Sequence, residues 1–251
     1  MIRQIIDQEG FVKELNEKLL QIYMSLTYVP GEETFFKGLK KLLPGRYLIW
    51  QNGKLEIVRY WKPEFKPDES KSLEDYAEEL HNTLKEVMPE TKAADEEIDS
   101  FLSGGVDSSY VLAMSKASAA DSCGYEEERF DESKLAEETA ILLDVKFNRC
   151  VITPEQFFDI VPYVMYNMEQ PLGDASAIAF ALGCKATAEH TKLCYSGEGS
   201  DEFFGGYNMY RNAERYGDNL KTFYVGNTNI MKEDEKKKIL KNYDETVLPI
   251  N

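Results

Sequence analysis

The chain has 251 residues, 43% of them hydrophobic, with 29 basic side chains against 45 acidic ones for a formal net charge of −16. That is apolar material for one substantial domain and a piece of a second. It excludes a nucleic-acid surface, which needs clustered Lys and Arg. No apolar run approaches the ~20 residues of a membrane-crossing helix, so no membrane partner is expected. The first twenty residues lack the apolar stretch and small-residue cleavage site of a secretory signal, which points to a cytoplasmic protein.

In chain order, Phe11 to Leu20 has helical spacing and predicts an amphipathic helix. Tyr47 to Trp50 and Leu55 to Val58 predict two strands joined by Asn52-Gly53, a strong hairpin signal. One helix and one hairpin bury too little to stand alone, so this piece must dock on something. A homodimer or a docked partner is the expectation. Trp61 to Ser70 reads as a linker. Ser72, with Asp75 three residues on, predicts a capping box opening a helix to Leu84 or Val87.

From there strands and helices alternate. Ile98 to Leu102, Ala120 to Tyr125, Phe147 to Thr153 and Lys192 to Tyr195 read as strands. Ser108 to Ser118, Ser133 to Leu143, Pro154 toward Met168 and Ala175 to Glu189 read as helices. Helices dominate after Tyr207, including Lys232 to Lys241. The pattern predicts an α/β fold, a parallel sheet with helices on both faces. Asp99 and Asp121 sit awkwardly in strands that such a sheet should keep apolar. Either they lie at strand starts near water, or the strand boundaries are off by a residue or two.

Two glycine-rich loops carry the chemistry. Ser103-Gly104-Gly105-Val106-Asp107-Ser108-Ser109 follows a strand and opens a helix, at the sheet edge where ligands bind. The glycines let backbone amides approach an anion, and Ser103, Ser108 and Ser109 supply hydroxyls. Asp107 among phosphate oxygens demands a cation, and Mg²⁺ prefers such a mixture of carboxylate and phosphate. The loop lacks a Walker A lysine, so it is no P-loop kinase, and alone it could equally be a helix-capping turn. Ser196 to Tyr207 also follows a strand, with Asp201 as a second magnesium ligand and Glu198 facing the reacting centre. Phe203 and Phe204 are expected to anchor this loop in the core.

The pair SGGVDSS and SGEGSDEFFGGY, about ninety residues apart, resembles the synthetase domain of glutamine-hydrolysing asparagine synthetases. Tyr28 to Gly31, Phe36 to Tyr47, Tyr60-Trp61, Phe130 to Ser133 and Glu169 to Pro171 also match family segments. The resemblance covers nearly the whole chain. It implies an adenine-nucleotide alpha-hydrolase-like, Rossmann-like ATP pyrophosphatase fold. It divides the chain into residues 1–62, the end of a glutaminase domain, and residues 63–251, part of a synthetase domain. The implied reaction joins aspartate to MgATP as β-aspartyl-AMP, which ammonia from glutamine converts to asparagine. Leu102, Ser103, Gly104, Gly105, Asp107, Ser108, Ser109, Cys123, Ser196 and Gly197 match nucleotide- or pyrophosphate-binding positions. Asp107 and Asp201 match metal ligands, and Glu198 matches the catalytic acid.

Two departures accompany the resemblance. Position 2 is Ile2, where glutamine-hydrolysing members carry a nucleophilic Cys, and no lysine here sits in the family's catalytic lysine motif. The chain is therefore expected to be a piece of the enzyme and a poor catalyst by itself. Alternatives are a related adenylate-forming amidotransferase, such as a β-lactam synthetase, and a non-catalytic nucleotide-binding protein. Cys123, Cys150, Cys184 and Cys194 have no CxxC spacing and two histidines for company, which argues against zinc; buried reduced thiols are expected for three of them. His81 and His190 read as surface or packing histidines. Asp174 and Ser176 read as caps of the following helix in preference to an aspartate pocket.

Overall fold

The computed structural model describes residues 2–90, 97–171, 173–208, 210 and 231–247. The chain forms two compact units, one of Met1–Pro67, Met165–Asp174 and Asn208–Asn251, the other of Asp68–Val164 and Ala175–Tyr207.

In the first unit, helices α1 (Ile2–Ile6) and α2 (Lys18–Leu26) precede strands β1 (Arg46–Gln51) and β2 (Lys54–Arg59). The expected helix over Phe11 to Leu20 is not formed. Leu15 bridges Phe36, and the Asn16 and Lys37 amides donate to Phe35 and Glu14 carbonyls, so extended pairing takes the backbone groups that a helix would use. Helical structure begins at Lys18 instead. There Leu19, Val29 and Phe35 form a small core with Leu20, Ile22 and Tyr23. The hairpin pairs Gln51 with Lys54, and Asn52 and Gly53 both have positive φ, at 52° and 73°. That is the type I′ turn which suits Asn-Gly. Helix α2 packs on helix α9 (Glu233–Ile239) and on the turn at 244–247. Gln21 holds the Asp244 and Val247 carbonyls, and fully buried Lys236 pairs with Glu233 and donates to Ser25 Oγ. Of the helices expected after Tyr207, the stretch from 211 to 230 lies outside the described residues.

The second unit opens with α3 (Leu73–Glu90), capped as expected by a reciprocal pair: Ser72 N–H donates to Asp75, and Asp75 N–H to Ser72 Oγ. Then come β3 (Ile98–Phe101), α4 (Val106–Ser115), β4 (Ala119–Tyr125), α5 (Ser133–Leu142), β5 (Lys146–Ile152), α6 (Pro154–Met168), α7 (Ser176–Thr187), β6 (Leu193–Tyr195) and α8 (Ser200–Phe204). The last residues of α6 fall in the first unit. Strand order is β5-β4-β3-β6, and every pairing is parallel. This is the expected α/β sheet flanked by helices, the ATP pyrophosphatase arrangement.

Alternate side chains go to opposite faces. Leu102 and Ala120 pack with Leu112 of α4 and with Ala136 and Ala140 of α5, all at most 2% exposed. The other face carries Asp99, Phe101, Asp121, Cys123, Asn148 and Cys150 beneath α7. This resolves the two awkward aspartates. The bounds of β3 and β4 each shift by one residue, which leaves both aspartates inside their strands, and the residues are not near water, being 3% and 5% exposed. Asp121 accepts from Thr187 Oγ1 at 2.7 Å and Asn148 Nδ2 at 2.8 Å, while His190 approaches both carboxylates. A buried carboxylate is tolerable when so partnered. Burial, and then the neighbouring Asp121 charge, push the Asp99 carboxyl above its ordinary range.

Candidate active site

An open pocket of about 320 Å³ lies at the carboxyl ends of β3, β4 and β6. That edge is where a parallel sheet leaves its loops free to receive ligands. The first glycine loop forms one wall. Gly104 turns the chain with φ of 85°, a left-handed value that glycine adopts without strain. A Cβ there would lie 3.1 Å from the Ala136 amide nitrogen and from Leu135 Cβ, so the residue faces α5 and does not line the pocket. Beyond it the hydroxyls cross-link the turn: Ser103 Oγ and Ser108 Oγ are 3.0 Å apart, and Gly105 N–H donates to Ser103 Oγ. Ser109 Oγ donates back to the Gly105 carbonyl at 2.8 Å. Gly105 is the N-cap of α4 and supplies no side-chain cap, which leaves first-turn N–H groups available to an anion.

The second loop forms the facing wall. Ser200 Oγ donates to the Gly197 carbonyl, and Glu198 N–H to Ser196 Oγ. The expected aromatic anchor is absent. Phe203 and Phe204 are 83% and 66% exposed, since one turn of helix presents both outward, and the loop is held by backbone bonds such as Gly206 N–H to Asp201 O. The two loops touch. A Cβ on Gly197 would lie 2.9 Å from the Ser108 amide nitrogen, so only glycine permits this approach without displacing backbone. Gly206 is similarly packed against the Asp201 carboxylate.

Leu102, Ser103, Gly105, Asp107, Ser108, Cys123, Ser196, Gly197, Glu198 and Asp201 therefore line one pocket, while Gly104 and Ser109 lie outside its wall. Residues outside the expected site set complete it, among them Phe101, Asp121, Ser176, Phe180, Gly183 and Tyr207. Ser176, Phe180 and Gly183 recur at spacings of four and three on α7, a one-face pattern that could have flagged them. Ala175 stands at the N-cap position of α7, between Asp174 and Ser176, and supplies no side-chain cap. Tyr207 donates to Glu202, and burial together with that carboxylate raises its phenol.

The cysteines are free thiols, but Cys184 is exposed and the other three are half-buried, short of the full burial expected. Burial, and then the neighbouring Cys150, push the Cys123 thiol up to about 12. Burial, and then Asp121 and Asp99, do the same to Cys194, also about 12. Both stay protonated near neutrality and behave as small hydrophobes, Cys123 at the pocket wall. Among the described residues, no helix is long and apolar enough to cross a membrane. His81 packs as expected, 2.8 Å from the Tyr110 hydroxyl.

This site can do two things at once. First-turn amides and glycine backbone are suited to polyanion oxygens, and Asp107 and Asp201 bring carboxylates to the same pocket from its two facing loops. Comparison with known proteins gives that combination a context. The sequence profile of the family described as asparagine synthase matches residues 79–246. Asparagine synthetase [glutamine-hydrolyzing] 1 of Bacillus subtilis is 30% identical over 92% of this chain and 43% of its own length. Amidase chyE of Penicillium rubens is 31% identical over 71% of this chain and 30% of its own length. Asparagine synthetase [glutamine-hydrolyzing] 3 of B. subtilis is 25% identical over 71% and 32%, respectively. The chain thus spans less than half the length of these relatives, and within that span it belongs to the asparagine synthase family.

Proposed function

We propose that the chain carries the nucleotide-activating half of an ATP-dependent, asparagine-forming carbon–nitrogen ligase. One observation supports this above others: the two glycine loops meet in a single pocket, with Asp107, Asp201 and Glu198 on its walls and Gly197 against the Ser108 amide. In this reading the α4 first turn and the Ser103 and Ser108 hydroxyls bind the pyrophosphate tail of ATP. Asp107 and Asp201 hold Mg²⁺, which neutralises charge on the phosphates. Leu102, Cys123, Ser196 and Gly197 flank the nucleoside. Glu198 sits where the aspartate carboxylate, activated as β-aspartyl-AMP, would receive ammonia derived from glutamine. Positioning and charge stabilisation carry the rate, since phosphorus substitution asks little covalent chemistry of the protein. The division into a glutaminase end at 1–62 and a synthetase part at 63–251, a cytoplasmic location and a homodimer belong to the same reading.

The test is pyrophosphate release by the full-length enzyme, with aspartate and ammonia compared against other carboxylic acids. Asp107→Asn and Asp201→Asn should each lower aspartate-dependent release at least ~100-fold, the scale of losing one charge-stabilising group. Release that ignores aspartate, or survives both substitutions, overturns the reading. An acid other than aspartate driving release would keep the nucleotide chemistry and reassign the substrate.

A further inference from the structure

Behind the pocket, at the amino end of the same sheet face, three ligating side chains from distant parts of the sequence converge. His190 follows α7, and its Nε2 lies 3.2 Å from Asp99 Oδ2 and 3.2 Å from Asp121 Oδ1, with Asn148 Nδ2 at 3.3 Å. A ring nitrogen offers one proton or one lone pair, so it cannot satisfy two carboxylates and an amide together. Of the two carboxylates, only Asp121 meets it with hydrogen-bond geometry, and the Asn148 amide is its other hydrogen-bonding contact. The Asp99 side chain is 5% exposed and faces the same point, where the Ala119 amide is its other hydrogen-bonding neighbour. One ligand atom from each of Asp99, Asp121 and His190 falls within 4.8 Å of the others. Adjacent donors stand roughly 3.0 to 3.4 Å apart around a metal with bonds of about 2.0–2.1 Å, which matches the separations from Nε2.

We propose that Asp99, Asp121 and His190 form a site for one borderline divalent cation of the Zn²⁺ class, separate from Asp107 and Asp201. Two carboxylates offset the charge of the ion, and a neutral imidazole binds through Nε2. The nitrogen ligand disfavours Mg²⁺, which prefers oxygen and retained water. Thr187 and Asn148, donating to Asp121 at 2.7 and 2.8 Å, hold that ligand in place as outer partners usually do. His190 is 40% exposed and leaves the ion a way in. The bound cation ties the end of α7 to β3 and β4. Asp121 also lines the pocket, so the clamp fixes the α7 wall against which Phe180 and Gly183 stand. No spacing in the sequence announces this triad, because its members lie 22 and 69 residues apart.

Cobalt is the probe. The purified chain, stripped with a chelator, is titrated with Co²⁺ and followed by visible ligand-field absorption, then challenged with Zn²⁺. One equivalent of Co²⁺ should give a band that Zn²⁺ displaces, and Zn²⁺ should raise the melting temperature. Asp99→Asn and His190→Gln should each weaken Co²⁺ binding at least ~10-fold. His190→Gln alters a half-exposed ring, and circular dichroism checks that it folds. Asp107→Asn should leave the band unchanged. The proposal is overturned if wild-type protein gives no stoichiometric band. It is equally overturned if Asp99→Asn and His190→Gln leave the band intact, or if Asp107→Asn abolishes it. None of these readouts depends on ligase activity.

Discussion

The two faces of the four-stranded sheet are built from alternating residues of the same strands, yet they are different materials. Toward α4 and α5, Leu102, Leu112, Ala120, Ala136 and Ala140 close into a dry core. Toward α7, Asp99, Asp121 and Asn148 share a polar network, and Phe101 and Cys123 border a pocket. A two-residue period lets one backbone serve both purposes. The first face supplies stability by apolar burial. The second gives up part of that stability for a ligand cavity and for charges that need partners. The lesson is that strand residues at odd and even positions should be read as two separate sequences.

Substitutions can break this contrast in graded ways. Leu112→Ala on the core face should have the largest effect, about 2–5 kcal/mol of lost stability from removed contacts and residual cavity, read as a shift in urea midpoint. Thr187→Val on the α7 face keeps shape but removes the donor to Asp121 Oδ2. It should cost about 1–3 kcal/mol, because the carboxylate remains buried with one fewer hydrogen bond. A loss as large as that of Leu112→Ala would mean that the polar face carries as much stability as the core. Ser100→Ala sharpens the comparison from the other side. Ser100 is fully buried on the core face, and its hydroxyl has no hydrogen-bond partner among the described residues. Removing it should be neutral or stabilise by up to about 1 kcal/mol in thermal or urea unfolding. A clear destabilisation would show that the dry face depends on a polar contact after all.

Much of the molecule is legible in the sequence, for local reasons. The capping box at Ser72 and Asp75 and the Asn52-Gly53 turn act over two to four residues, so sequence alone carries them. The strand–helix alternation is equally readable, and with it the sheet edge at which both glycine loops emerge. Errors come where distant chain competes. The 11–20 segment has helical spacing, but Phe35 and Lys37 pair with its backbone first. Phe203 and Phe204 look like core residues and are not, because α8 is too short to turn them inward.

Sequence by itself determined the alternating fold, the two loops and the family to which the chain is similar, since each rests on residues close together in the chain. Tertiary structure alone decided that Gly197 lies against Ser108, that α7 supplies Ser176, Phe180 and Gly183 to the pocket, and that His190 meets Asp99 and Asp121. Those contacts depend on strand order and on which side of the sheet a helix crosses. Neither leaves a mark at any fixed spacing along the chain.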